Sequence, residues 1–237
     1  MTLAIVAAMP EEVAPLRARL DRGRLAGHPV EIAITGDGAR NARAGAEALL
    51  RRGGFQSLLV LGVSGALTPD LASGDLIVAA RVRDEEGRAH DAPGAQVAAV
   101  AQATGGRPAL VLSARKIADT LEEKTRLARA AATEADGRPA VVDLESAAYV
   151  AAAEQAGIPW LILRAISDTA GEALPAILNR SADASGSVNR GRVLRGLFSD
   201  PGALPQLLAL RKRVGHCSEV LARAAEAAAR MLPGGSI

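Results

Sequence analysis

Short runs of β-branched and aliphatic residues alternate with alanine- and leucine-rich stretches along most of the chain. The pattern predicts strands at Leu3–Ala8, Val30–Thr35, Ser57–Val63, Leu76–Val82, Ala109–Leu112, Ala140–Leu144 and Trp160–Ile166. Ala42–Arg52, Thr120–Ala132 and Ser146–Ala156 have helical composition and period. Leu58-Leu59-Val60-Leu61 and Trp160-Leu161-Ile162-Leu163 are apolar at every position. A sheet with one wet face alternates, whereas strands covered on both faces read as continuous apolar runs. The expectation is an α/β fold with a central, largely parallel sheet between helices. Residues 83–106 lack a period and read as a loop or short excursion, as does 169–191. Beyond them Asp200-Pro201 is a good helix start, and 218–232 reads as an amphipathic helix with Leu221, Ala225, Ala228 and Leu232 on one face.

Composition narrows the function. Of 237 residues only Phe55, Phe198, Tyr149 and Trp160 are aromatic, too few and too scattered for a nucleic-acid stacking platform. Twenty-eight basic residues face 26 acidic ones, so no basic surface is implied, and no nucleic-acid partner is expected. The single cysteine, Cys217, excludes a disulfide framework, and His28, His90 and His216 are spread over three segments, so no metal site is expected. Met1 leads into a short apolar run without the features of a signal peptide, and no run approaches the ~18 residues of a membrane span. A soluble, cytoplasmic protein without a membrane span is the expectation.

Chemistry in open α/β sheets gathers at the carboxyl ends of strands. Four segments qualify. After the first strand come Met9-Pro10-Glu11-Glu12-Val13; Pro15 places the helix start close to it, leaving Glu11 and Glu12 in the turn, either as acids on a helix dipole or with one acting as a base for water. Gly36-Asp37-Gly38-Ala39-Arg40-Asn41 permits close backbone approach but lacks the third glycine of a dinucleotide fingerprint. Gly62-Val63-Ser64-Gly65 is one residue short of a nucleophile elbow and has no histidine partner, which argues against a serine hydrolase. The fourth is a pair: Asp143-Leu144-Glu145-Ser146 leaves one strand and Arg164-Ala165-Ile166-Ser167-Asp168 ends the next, placing Glu145 and Asp168 at neighbouring strand ends. Two acids without a metal cluster suit chemistry that builds positive charge on a sugar and protonates a leaving group.

At these residues the sequence resembles the nucleoside phosphorylase/nucleosidase superfamily, most closely its methylthioadenosine/S-adenosylhomocysteine nucleosidase branch, from Leu3 to about Pro175. Ala8-Met9-Pro10-Glu11-Glu12-Val13 is similar to the nucleosidase opening, the two glycine loops to the family's own, and Asp143-Leu144-Glu145-Ser146 to its ribose motif. The resemblance implies one domain over residues 1–237, a three-layer α/β/α sandwich with a mixed, largely parallel sheet. It implies that Asp168 protonates N7 of a purine, that Ser167 orients it, and that Glu145 accepts from ribose hydroxyls with Leu144 beneath the sugar. Glu12 would position the attacking water, and Ser64 and Gly65 would line the pocket. Ile117 falls where the family carries a base-stacking phenylalanine, leaving the base without an aromatic partner. Leu144 replaces a methionine.

The tail beyond Asp168, together with 117–130, is more similar to the hopanoid-associated phosphorylases, which release adenine from a nucleoside with a large apolar group. The resemblance implies no cofactor; if the reaction is phosphorolysis, inorganic phosphate is co-substrate, with Arg40 and the amides around Ser64 to hold it. Glu11 and Glu12 repel a dianion and favour hydrolysis. A nucleoside-binding protein without catalysis is the remaining alternative, against which the retained Glu145 and Asp168 speak. The resemblance also implies a homodimer or larger homo-oligomer.

Overall fold

The computed structural model describes residues 2–181 and 203–231. In chain order it contains β1 (Thr2–Ala7), α1 (Pro10–Ala18), β2 (Arg24–Leu25), β3 (His28–Ile34), α2 (Ala39–Leu50), β4 (Phe55–Ala66), β5 (Leu76–Asp84), β6 (Ala89–Asp91), α3 (Gly94–Thr104), β7 (Arg107–Ser113), α4 (Leu121–Ala132), β8 (Ala140–Asp143), α5 (Ser146–Gln155), β9 (Trp160–Asp168), α6 (Ile177–Ser181) and α7 (Ala203–Arg230).

All nine strands among the described residues join one mixed sheet. β1 pairs in parallel with β3 and β4, β4 with β9, and β5 and β8 each with β7; β2–β3, β4–β8, β5–β6 and β5–β9 are antiparallel. The twelve-residue β4 is long enough to pair with β1 along its first half, with β9 from Leu58 to Gly65 and with β8 at Gly65 and Ala66. The pairings β4–β9–β5–β7–β8–β4 therefore close on themselves, and the carboxyl end of β4 stands between β8 and the end of β9.

Successive residues of β1 point to opposite layers. Leu3, Ile5 and Ala7 pack with α1, α3 and α7, while Ala4 and Val6 pack with α2 and α5. A third cluster joins α4 to β7 and β8 through Leu110, Leu112, Leu127 and Ala131. Covered on both faces, the strands carry the continuous apolar runs that the sequence displays.

Three expectations need correction. α1 begins at Pro10, not near Pro15: Pro10 takes the first helical position, where its missing N–H costs nothing, and the Glu12 carboxylate accepts the Met9 amide. Pro15 sits inside this helix, and Glu11 and Glu12 belong to its first turn. Residues 83–106 are not a loop but contain β6 and α3, whose Val97 and Val100 are buried one turn apart and whose end is set by Gly105 at φ 71°. Glu145 and Asp168 do not leave adjacent strands; β4 lies between β8 and β9. In the described part of 169–191, α6 follows a stretch without regular structure. The final helix extends well before Ser218, and Leu221, Ala225 and Ala228 are buried as expected. Asp200-Pro201, Phe198 and Leu232 lie outside the described residues. Among the described residues no helix is long and apolar enough to cross a membrane.

Candidate active site

The site gathers at the carboxyl ends of β1, β4, β8 and β9, and its centre is a buried cation. Arg164 interrupts the apolar run of β9 and is 1% exposed. It stands opposite Gly62 of β4 in register. A Cβ on Gly62 would lie 1.7 Å from Arg164 Nη1, so only glycine leaves room for the guanidinium. Arg164 forms an ion pair with Asp143, and its Nη2 donates to Ser146 Oγ at 2.9 Å. Asp143 Oδ1 accepts from Ser113 Oγ at 2.8 Å, and Oδ2 from Ser146 Oγ at 2.5 Å. Both oxygens of Asp143 accept, and Nε and Nη2 of Arg164 point at Ser146, so the pair can remain charged out of water.

Two further carboxyls face this guanidinium. Glu12 is 2% exposed and pinned by backbone: Oε2 accepts the Met9 amide at 2.9 Å and Oε1 the Val63 amide at 3.0 Å. Burial pushes its carboxyl above the usual range, against the pull of Arg164 and of both amides. Glu145, 7% exposed, accepts the Gly38 amide at 2.7 Å. Gly38 presents that amide from φ 86°, a conformation that disfavours any side chain. Burial, and after it the neighbouring Asp143, drive Glu145 up to about 8, against Arg164 and the Gly38 amide. Tyr149 lies beneath, its hydroxyl 2.6 Å from Thr35 Oγ1 and its own ionisation driven far upward by burial.

The raised Glu145 has a measurable consequence. Its folded-state value of about 8 exceeds the ordinary 4.5, so the contribution of the protonated form is complete below 4.5 and lost as pH rises through about 8. Glu145→Gln mimics that protonated form. It is expected to raise Tm over wild type by several degrees at pH 9, on the order of 2–4 °C for each kcal/mol regained, and by much less at pH 5. Thermal unfolding at both pH values checks this, and an equal difference at the two would contradict it.

At the end of β9, Asp168 is 2% exposed. Its Oδ1 accepts Ser167 Oγ at 2.5 Å, and its Oδ2 is 2.5 Å from Nζ of Lys124 on α4. Ser167 Oγ also lies 3.3 Å from the Ser64 carbonyl. Gly65 is forced small by the same carboxylate: a Cβ there would stand 2.8 Å from Asp168 Oδ2. Ser64 is buried, and its Oγ has no hydrogen-bond partner among the described residues.

The predicted residues Glu12, Glu145, Ser64, Gly65, Ser167 and Asp168 thus converge on the carboxyl ends of β4 and β9 and the starts of α1 and α5. Leu144 and Ile117 are half-buried, Leu144 against the cluster beneath α4. Arg40 is exposed on the first turn of α2. Trp160 and Phe55 start their strands, so the seven intervening residues of β9, roughly 26 Å of extended chain, separate Trp160 from Asp168. Tyr149 is fully buried in the core cluster beneath α2 and α5. Among the described residues no cluster of His, Cys, Asp and Glu fits a metal ion.

Arg164, Asp143, Ser113, Ser146 and Lys124 escaped the choice of site residues. A charge inside an otherwise apolar strand was the available signal for Arg164. For Lys124 it was a position one turn before Leu127 on the buried face of α4.

A model of the phosphorylase superfamily matches residues 2–139. The 5′-methylthioadenosine/S-adenosylhomocysteine nucleosidase of Geobacillus kaustophilus is 31% identical over an alignment covering 73% of this chain and 86% of that one. The enzyme of the same name from Mycobacterium tuberculosis is 26% identical, with 72% and 87% covered. Among solved structures, S-adenosylhomocysteine nucleosidase of Streptococcus pyogenes in complex with 5-methylthiotubericidin has the same fold, with a TM-score of 0.75 at 20% identity and 98% of both chains covered. Futalosine hydrolase of Helicobacter pylori matches at 0.70 and 15% identity, with 98% of both chains covered.

Proposed function

Because this chain belongs to the phosphorylase superfamily, we propose that it hydrolyses the N-glycosidic bond of a purine nucleoside of the 5′-methylthioadenosine or S-adenosylhomocysteine kind. The observation that carries hydrolysis is the state of Glu12. Two backbone amides hold it, and burial raises its proton affinity, which suits a base that takes a proton from water. A carboxylate at the mouth of the first strand also repels a phosphate dianion, and Arg40, the cation expected to bind phosphate, is exposed to solvent.

The reaction follows from the placement of the groups. As the C1′–N9 bond lengthens, its electron pair passes to the base and positive charge develops on the ribose ring. Glu145, beside the ribose, favours that charge once ionised and accepts hydroxyl hydrogen bonds in the same step. Asp168, oriented by Ser167, delivers a proton to N7 so that the base leaves neutral. Water held by Glu12 and the unpartnered Ser64 hydroxyl adds to C1′, and its proton goes to Glu12. Arg164 keeps Glu12 and Glu145 oriented around one centre.

The test is release of free base from 5′-methylthioadenosine in phosphate-free buffer, followed by absorbance. Wild type is expected to turn over, and Glu12→Gln to lose ~10²-fold or more in kcat. Absence of base release from every purine nucleoside offered would overturn the reading and leave a binding protein.

A further inference from the structure

Lys124 is a buried cation for which the scheme above has no use. It shares the buried face of α4 with Leu127 and Ala131, and its side chain is 2% exposed against 3% for Asp168. Its ammonium donates to Asp168 Oδ2 at 2.5 Å and to the Thr169 carbonyl at 2.6 Å. Ser167 donates to the other oxygen of Asp168. So arranged, both oxygens of Asp168 accept hydrogen bonds, and a carboxyl oxygen that accepts has no proton of its own to give. Of its two donors the ammonium is by far the stronger acid.

We propose that Lys124 is a positioning residue that holds the leaving-group proton behind Asp168 and supplies it through that carboxylate. The inference rests on the reading that Asp168 faces the departing base. In the step, an Nζ–H bond of Lys124 breaks and its proton passes to Asp168, while the proton Asp168 thereby carries goes to N7. The C1′–N9 electron pair moves to the base, and Lys124, left as a neutral amine, regains a proton from solvent after the base departs.

Among the described residues the surroundings leave this pair to set the alkaline behaviour. On α7, Cys217 donates to the Ile166 carbonyl, and burial pushes its thiol up to about 11, so it stays neutral below that pH. Arg213 of the same helix is paired with Glu172. On α4, Glu123 is engaged by Arg126 and Lys116, and Glu122 is exposed. From β4 only the neutral Ser64 and Gly65 approach. Glu12 and Glu145 act as bases and govern the acid side.

A lysine ordinarily keeps its proton to about pH 10, an aspartic acid to about pH 4, or somewhat higher when buried. The measurement is the pH profile of kcat at saturating 5′-methylthioadenosine for wild type and Lys124→Met. Wild type is expected to hold its activity beyond pH 9. In the variant the alkaline limb moves down by more than one pH unit, with activity near pH 5.5 within about tenfold of wild type. Coincident alkaline limbs, or an equal loss at every pH in a folded variant, would overturn the inference and mark a purely structural pair. If Lys124→Met does not fold, wild type decides alone: a limb that falls below pH 7 rules out a lysine as proton store. An inactive wild type removes the functional reading and this inference with it; an active one with unmoved limbs removes this inference only.

Discussion

Asp168→Asn is expected to reduce kcat on purine nucleosides by ~10²–10⁴, the usual worth of a positioned proton donor, with KM changed only a few-fold. Asparagine matches aspartate in size, so the packing against Gly65 and the hydrogen bond from Ser167 survive the change. An amide cannot pass a proton to N7, and the leaving base must then depart as an anion. The variant also deprives Lys124 of its counter-charge at a site where neither side chain is more than 3% exposed. An unpaired buried ammonium costs about 3–5 kcal/mol, so Tm falls as well. Steady-state kinetics at a temperature where the variant is folded separate the two effects. Near-wild-type kcat would show that the base leaves without help from Asp168.

Arg164→Met is expected to be the most destabilising single change in the site. It removes the ion-pair partner of Asp143 and the nearest cation to Glu12 and Glu145 while leaving all three carboxyls buried. Breaking one side of such a pair costs about 3–5 kcal/mol, roughly 10 °C in Tm for a chain of this size. Activity should disappear too, because Glu12 and Glu145 take up protons more readily without the guanidinium. Gly62→Ala reaches the same result from the opposite strand, since its Cβ would overlap Arg164 Nη1. The double variant Arg164→Met/Asp143→Asn should recover part of the lost Tm, because it removes the orphaned charge. If it recovers none, the stability of the site does not rest on that ion pair.

Seven of the nine described strands were legible because burial on both faces leaves a short, β-branched apolar run, as in Leu58–Leu61 and Trp160–Leu163, whereas the two- and three-residue β2 and β6 carry no such run. The start of α1 is hard to read because the helix holds two prolines, and Pro15, inside it, is also a helix-start signal. Pro10 is the better one, but it becomes visible only once Glu12 is known to fold back on the Met9 amide. The helix at 94–104 is carried by alanine and two valines, too weak a period to stand out in an alanine-rich chain.

In the site, acids at strand ends could be picked out one by one. Their cations could not, because each is defined by a partner far away in sequence. Lys124 meets Asp168 across 44 residues, and Arg164 depends on the absence of a side chain at Gly62. Among the described residues the rarity of aromatic rings keeps its force in three dimensions. Trp160 and Phe55 lie at the far ends of their strands, and Tyr149 is spent on Thr35.

The most direct test of hydrolysis is the identity of the sugar product when 5′-methylthioadenosine is turned over in saturating inorganic phosphate and analysed by mass spectrometry. The expected product is free 5-methylthioribose, formed at the same rate with and without phosphate. Formation of 5-methylthioribose 1-phosphate, dependent on added phosphate, would contradict the role given to Glu12 and make the protein a phosphorylase.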